Sequence, residues 1–393
     1  MCVESIPRNE PEVEPPPNAE LPVAPASVSF CRSTDSERTG PMEIIDLGTL
    51  AERGVSEATD LNGRGVVVGW SGTTVEGAQF IRAVQWEDDE PTALEPLRED
   101  GLGDTEAAAI NARGTVVGSA QGSDWGWNAV RWVDDELELL GPSKRSQGRD
   151  HAACESSQSE DESDETPGND RPADLQSGDS RALDVNARGT VVGHRDAIDS
   201  EVRAFRWTKR DGMVSLGTLR ADGAGQSVAT AVDDDGTVVG RSVADDGRTH
   251  AFRWTKREGM TDLGTLPGDE AGAAFDVESG AIVGWSSRAD EFATRTATRW
   301  DGETRDSIGT FRVDDTGYSQ AYGVVGDVVV GASQVDAGGS HAFAWADDRL
   351  FDLGTLRDDD TGQSSAVAAN ARGSVVGWSQ VEDGANHAVR WIR

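Results

Sequence analysis

From residue 43 onward the apolar positions fall into short runs rich in Val, Ala and aromatic residues, each cut off by Gly, Asp or Asn. One stretch shows the unit clearly: Ser227 to Val232, Thr237 to Val243, His250 to Thr255 and Met260 to Leu266, with Asp233-Asp234-Asp235-Gly236 turning the chain between the first two runs. No segment carries the 3.6-residue period of an amphipathic helix, so each unit predicts four short strands and nothing helical. The unit recurs seven times between residues 43 and 393. Ala58, Gly69, Ala83 and Trp86 have counterparts of the same type in every copy, down to Ala366, Gly377, Ala388 and Trp391. The repeat Trp residues, at 86, 132, 207, 254, 300, 345 and 391, lie 46, 75, 47, 46, 45 and 46 apart. The period is therefore 46, with one insertion.

The first turn of the unit recurs as Asn62-Gly63-Arg64-Gly65, Asn111-Ala112-Arg113-Gly114, Asn186-Ala187-Arg188-Gly189 and Asn370-Ala371-Arg372-Gly373. A leading Asn bonds its own backbone and a Gly in fourth place accepts positive φ, which makes a tight hairpin. Four antiparallel strands per 46 residues, with a repeated Trp, describe the blade of a β-propeller. A parallel β-helix has shorter coils, and an open solenoid needs atypical capping repeats that are absent here. The last copy ends at Trp391-Ile392-Arg393 without its fourth strand, and the matching segment, Glu43 to Leu50, stands at the other end of the chain. The expected architecture is thus an all-β, seven-bladed propeller of four-stranded blades, closed by the N-terminal strand pairing with the C-terminal blade, which removes a long sheet edge. Ala58 and its equivalents belong on the innermost strand, where backbones converge, and the seven Trp between blades; the rival reading makes those Trp a ring of ligand-stacking aromatics. Residues 1–41, rich in Pro and Glu, read as a disordered tail, residues 42–393 as the propeller, and a Ser/Asp/Glu-rich stretch at about 143–178 as a disordered insertion of roughly 30 residues.

The chain carries 71 acidic and 36 basic residues, a net charge of −35, and its only lysines are Lys144, Lys209 and Lys256. Such a surface repels itself until salt screens it, which points to a halophilic source. The 12 Trp argue for a packed core rather than an acidic solvating polymer. No basic stripe offers itself to phosphates, so nucleic acid is excluded as a partner. Cys2, Cys31 and Cys154 lie outside the repeats and form no CxxC pair, so neither a disulfide nor a zinc site is expected in the core. No basic and then apolar leader and no membrane span is visible, which suggests a cytoplasmic, monomeric protein.

His250-Ala251-Phe252-Arg253-Trp254 and His341-Ala342-Phe343-Ala344-Trp345, followed by Asp262-Leu263-Gly264-Thr265-Leu266 and Asp352-Leu353-Gly354-Thr355-Leu356, resemble the HAF repeat, a family labelled as probable extracellular repeats. The resemblance covers about 350 residues. Other copies depart from it: Arg82-Ala83-Val84, Asn128-Ala129-Val130, Arg203-Ala204-Phe205, Thr296-Ala297-Thr298 and His387-Ala388-Val389, and the second copy has Leu94-Glu95-Pro96-Leu97 for Leu-Gly-Thr-Leu. The family brings no catalytic residues with it, and its label implies an extracellular location.

His250, His341 and His387 share one repeat position; residues so related converge only at the axis, so a polar strand start that bonds a neighbouring loop is expected rather than a metal site. The position after the invariant Gly varies instead: Trp70, Ser119, His194, Arg241, Trp285, Ala332 and Trp378. Trp70, His194, Arg241, Trp285 and Trp378 at one level suit a sugar or a flat apolar ligand, with the filling of a groove between blades as the alternative. Trp125 and Trp127, in Ser123-Asp124-Trp125-Gly126-Trp127, are expected to be exposed on a loop. Acidic loops such as Val313-Asp314-Asp315-Thr316-Gly317 and Arg357-Asp358-Asp359-Asp360-Thr361-Gly362 lack the spacing of a calcium loop and read as solvated surface. No nucleophile, metalloprotease or phosphate motif is present. No His/Asp/Glu set is seen to break the repeat, so neither catalytic residues nor a cofactor are expected. The sequence therefore suggests a non-enzymatic binding scaffold for an unknown protein or carbohydrate; the alternative is a propeller hydrolase or lyase working at the central channel.

Overall fold

The structure, a computed structural model, describes residues 42–393 apart from 53, 76, 142–177, 198–200, 289–293, 315 and 360. The tail expected at 1–41 and the insertion expected at 143–178, up to residue 177, lie outside the described residues. Seven four-stranded antiparallel sheets make up the described residues, six of them with their strands in the order of the sequence. Blade 1 holds Ser56–Leu61, Val67–Val75, Ala78–Glu87 and Glu90–Ala93. Blades 2 to 6 repeat that pattern over 105–139, 180–215, 227–262, 271–307 and 319–352. In blade 7, Ser364–Ala369, Val375–Gln380 and Asn386–Ile392 are completed by Glu43–Asp46, with Glu43 opposite Ile392 and Asp46 opposite Val389. The first strands of successive blades contact one another all the way round, the seventh touching the first. The molecule is a seven-bladed β-propeller closed by its N-terminal strand.

The fourth strand is shorter than the sequence suggests. It stops at Asp46 or Asp262, and the Leu-Gly-Thr-Leu that follows is a connector which docks on the next blade. Gly48 takes φ +72 there and its N–H bonds Asp46 Oδ1 at 2.8 Å, so the chain leaves the sheet plane at this point. Leu50 N–H then bonds Ser71 Oγ at 3.0 Å, and Ser56 Oγ donates to Gly48 O at 2.7 Å. The same Ser serves Leu219, Leu266, Phe311 and Leu356 through Ser242, Ser286, Ser333 and Ser379.

The invariant residues each answer to a physical constraint. In all seven blades the innermost strand bulges just after the invariant Ala, as between Ala58 and Asp60. The bulge pushes the preceding carbonyl toward the second strand, and a Cβ on Gly69 would stand 2.0 Å from Glu57 O. Glycine is required there for space within its own blade, not for convergence of blades or for positive φ. Trp86 is fully buried against Leu47, Val376 and Ala388 of blade 7. Its Nε1–H donates to Leu47 O at 2.9 Å, as Trp132 donates to Glu95 O and Trp300 to Gly264 O. The repeat Trp thus seal the seams between blades; Trp254 and Trp345 are half-buried versions. Full burial of such a side chain contributes about 3 kcal/mol or more.

The Asn turns do more than turn the chain. Asn62 Oδ1 accepts from Arg64 and Val66, and Gly65 takes φ +95, as expected. In addition Asn111 Nδ2 donates to Asn186 O at 3.0 Å, Asn186 Nδ2 to Asp233 O at 2.9 Å and Asn370 Nδ2 to Asn62 O at 3.2 Å. These side chains satisfy backbone carbonyls of the next blade and close the ring at its seventh seam.

Candidate functional site

Residues opposite each other on paired strands share a face. Trp70 lies opposite Ala83, which packs on Ala107 and Trp132 of blade 2, so the variable slot looks toward the following blade. Each slot residue therefore opens onto its own seam. Trp285 is 3% exposed beneath the Arg295 guanidinium, 4.1 Å from its ring centre, so its faces are covered. Trp70, Trp378 and His194 are half-buried and Arg241 is exposed. Trp127 is half-buried under the guanidinium of Arg181 at 3.9 Å, while Trp125 is 53% exposed. Its φ of +62 is an uncommon conformation for a bulky residue, held by Trp125 N–H to Gly122 O and by Gly126 N–H to Asp124 Oδ1.

Blade 1 differs from the others in a way the repeat conceals. Its second and third strands run 9 and 10 residues, against 6 and 7 in blade 2, so their hairpin overhangs the loop face. Between the overhang and the segment arriving from blade 7 lies a cleft of about 480 Å³. Val55, Phe80 and Ile81 supply apolar walls, and Thr73, Thr74, Gln79 and Asp104 supply polar groups. Asp104 is held in place: its Oδ1 accepts Ile81 N–H at 2.9 Å and its N–H bonds Gln121 Oε1 at 2.9 Å. The Arg82 guanidinium stacks on Phe80 at 5.1 Å and bonds Gly101 O and Gly103 O. The segment that ends at Asp104 starts at Arg98, whose guanidinium lies 4.5 Å from the ring centre of Trp125. Cleft and exposed Trp therefore share one short support. Sequence reading singled out Trp125 but not the cleft, whose only signal is the lengthened hairpin around Gly77.

Three carboxylates do break the repeat, contrary to the reading of the sequence. Two residues after the invariant Ala stand Asp60, Ala109, Asp184, Ala231, Asp276, Gly323 and Ala368. Innermost strands are sheet edges, and their outward N–H groups have no strand to bond. Asp60 accepts Leu61 N–H of its own blade at 2.7 Å and Ile110 N–H of the next at 2.8 Å. Asp184 does the same with Val185 and Val232, and Asp276 with Val277 and Val324. These side chains keep some solvent contact but sit deep in the ring, and that burial raises all three pKa values. Asp60 rises well above the usual carboxylate range, Asp184 to about 7 and Asp276 to about 6, against the opposing pull of the N–H groups and with a smaller push from other carboxylates nearby, Asp184 and Asp276 on Asp60, Asp276 on Asp184, and Glu278 and Asp233 on Asp276.

The histidines answer to a simpler logic. His250, His341 and His387 place Nδ1 at 2.6, 2.9 and 2.8 Å from Asp262, Asp352 and Asp46. Each bonds the Asp before Leu-Gly on the adjacent strand of its own blade, and the blades without this His lack that Asp. The acidic loops are not merely solvated surface. Arg312 and Arg357 grip Asp314 and Asp359, as Arg98 and Arg220 grip Asp100 and Asp222, and these pairs draw Asp100 and Asp222 down to about 2. Among the described residues no group of three or more His, Cys, Asp or Glu is arranged to hold a metal ion, and no helix is long and apolar enough to cross a membrane.

No family model and no curated protein matches this chain. Solved propellers do. The β-propeller domain of the Trilobed protease from Pyrococcus furiosus, described as having an open velcro topology, superposes with a TM-score of 0.50 at 8% identity over 86% of this chain and 95% of that domain. TolB from Acinetobacter baumannii gives 0.42 at 9% identity over 86% of this chain, which spans 63% of TolB's length. At such identities the likeness concerns the fold alone.

Proposed function

We propose that this protein is a binding scaffold that presents a ligand site on the loop face of blades 1 and 2. The observation that supports it is the cleft of about 480 Å³ formed where the hairpin of blade 1 outgrows its counterparts. A concavity that pairs an aromatic ring with amide, hydroxyl and carboxylate groups suits a polyol or sugar chain, and Trp125 beyond it offers a second stacking surface. The acidic, lysine-poor composition fits work in a salt-rich medium. The test is a glycan screen in molar KCl, followed by calorimetry on Gln79→Ala and Trp125→Ala. Both variants should lose affinity about tenfold, some 1.4 kcal/mol, without a change in melting temperature. Binding of a glycan that neither substitution affects would reject this location.

A second reading, a channel enzyme, draws support from Asp60, Asp184 and Asp276, since a carboxyl that titrates near neutrality suits a general acid. Both oxygens of each are engaged by backbone N–H groups, which favours a structural role.

A further inference from the structure

The turns on one face of the ring carry a charge order that the repeat does not impose. In each of blades 1 to 6 the turn between the third and fourth strands emerges at the rim, on the face opposite the blade 1 cleft. These rim turns read Glu87-Asp88-Asp89-Glu90 and Asp134-Asp135-Glu136 in blades 1 and 2, but Lys209-Arg210-Asp211 and Lys256-Arg257-Glu258 in blades 3 and 4. The order along the rim is acidic, acidic, basic, basic. Lys209 and Lys256 are the only lysines among the described residues, and both are exposed without an ion pair to any described residue. The same holds for Glu90, Asp134, Asp135 and Glu136. Other charges close by leave the pattern in place. Asp211 lies 3.6 Å from Arg206 and 3.8 Å from Arg210, and Glu258 is shared by Arg253 and Arg257, so each basic turn keeps more cations than carboxylates. Among the described residues, only Asp89 of the two acidic turns is paired, with Arg390 at 3.0 Å.

A uniform polyanion fits this rim poorly, because acidic turns flank the basic pair on both sides, Asp301 and Glu303 of blade 5 forming the far flank. The rim asks for a partner with the reverse order at the same spacing, and a second copy of the chain supplies it. A two-fold axis lying in the face, between blades 2 and 3, sets blade 1 of each copy on blade 4 of the other and blade 2 on blade 3, so that every acidic rim turn of the four meets a basic one. The match continues inward between blades 1 and 4, whose hub turns present Arg64 and, against it, Asp234 and Asp235, all exposed. Arg113 and Arg188, in the hub turns of blades 2 and 3, are the like charges that this arrangement brings together. Blades 5 and 6 offer a poorer set of acidic turns, because Arg349 follows Asp347-Asp348 and the hub turns of blades 4 and 5 are both acidic.

We infer that the rim of blades 1 to 4 is the interface of a two-fold dimer of this chain, in place of the monomer expected from the sequence. Repulsion between two copies of net charge −35 is long-ranged, and at about 1 M salt a Debye length of about 3 Å removes most of it, while pairs enclosed between the copies are screened less. Moving the axis onto blade 2 or blade 3 sets that rim turn against its own like, so charge selects the orientation more than it sets the affinity. The surface lies across the ring from the blade 1 cleft and does not depend on the ligand proposed there.

The experiment is sedimentation velocity of the full chain in molar KCl at high-micromolar concentration. The parent protein should sediment as a dimer. Lys209→Glu combined with Lys256→Glu should weaken association at least tenfold, and so should Glu90→Lys combined with Glu136→Lys. An equimolar mixture of the two double variants should recover the dimer, because the reversed charges of one then meet those of the other. Glu303→Lys, in the rim turn of blade 5, should leave association unchanged. Melting curves that match the parent protein show that the blades are intact. A monomeric parent, a mixture that stays monomeric, or a loss as large in Glu303→Lys as in the double variants would overturn the assignment.

Discussion

The seam between blades 7 and 1 and the seam between blades 1 and 2 solve one packing problem with different parts. Both keep the buried Trp, with Trp86 bonded to Leu47 O and Trp132 to Glu95 O. Both hold the third strand of the leading blade through a hydroxyl: Ser56 takes Ala388 N–H, and Thr105 takes Ala83 N–H. At the rim they part. Leu47-Gly48-Thr49-Leu50 is latched by Ser71, whereas Leu94-Glu95-Pro96-Leu97 faces Ala120, which has no hydroxyl. At the hub the difference reverses, because Asp60 clamps blade 1 to blade 2 through two backbone N–H groups while Ala368, at the same repeat position, offers no such clamp to the seventh seam. A repeat position lost at one radius is matched here by a bond gained at another, so identity with the consensus is a poor measure of how firmly two blades adhere.

Removal of Glu43 to Leu50 attacks the first seam most directly, because blade 7 loses its outer strand and blade 1 its latch. Urea unfolding should register a loss on the order of 5 kcal/mol, close to the whole net stability of many domains. A truncated chain that unfolds like the full one would mean that closure adds little. Trp86→Ala and Trp132→Ala should each cost about 3 to 5 kcal/mol, since both side chains are no more than 2% exposed. Half-buried Trp254→Ala should cost about 2 kcal/mol, and equal losses at all three would contradict the difference in burial.

The latch itself is a smaller matter. Ser71→Ala strands the Leu50 N–H and should cost about 1 to 2 kcal/mol, while Ala120→Ser should be neutral or stabilising. If Ala120→Ser is as harmful as Ser71→Ala, the departing loop of blade 1 has packing of its own that leaves no place for a hydroxyl.

A titration separates the hubs by pH. A carboxyl whose folded pKa lies above its unfolded value binds a proton more tightly when folded, so its contribution is complete below about pH 4 and is lost as pH rises through the folded pKa. With Asp276 at about 6 and Asp184 at about 7, stability at constant high salt should decline between about pH 4 and 7. Each such group contributes at most about 1.4 kcal/mol per pH unit. Asp60→Asn and Asp184→Asn should flatten that decline, whereas Ser71→Ala should shift the curve without changing its slope.

The architecture was legible because a 46-residue period with constant Gly and Trp leaves few folds to choose from, and the missing strand named its own partner. What escaped notice lay in the variable columns. Asp60, Asp184 and Asp276 stand where four other copies have Ala or Gly, so a search for constant residues passes over them. Asn186 looked complete once its local turn was explained, yet its Nδ2 reaches the neighbouring blade. The pairing of His with Asp was readable, since the two appear in the same three copies, but only after the adjacent strands were known to be the third and fourth. The blade 1 cleft depends on two segments about 20 residues apart meeting in space, which no single column of the repeat encodes.

Seven is an odd number, and the aspartates make that parity visible. Because each carboxylate spans one seam and skips the next, Asp60, Asp184 and Asp276 tie the blades into couples, the first with the second, the third with the fourth and the fifth with the sixth. No further couple can be formed. The blade left single by these three aspartates is the one whose outer strand, Glu43–Asp46, comes from before blade 1, so the point where the ring closes is held at the hub by Asn370 and Asn62 rather than by a carboxylate of this series.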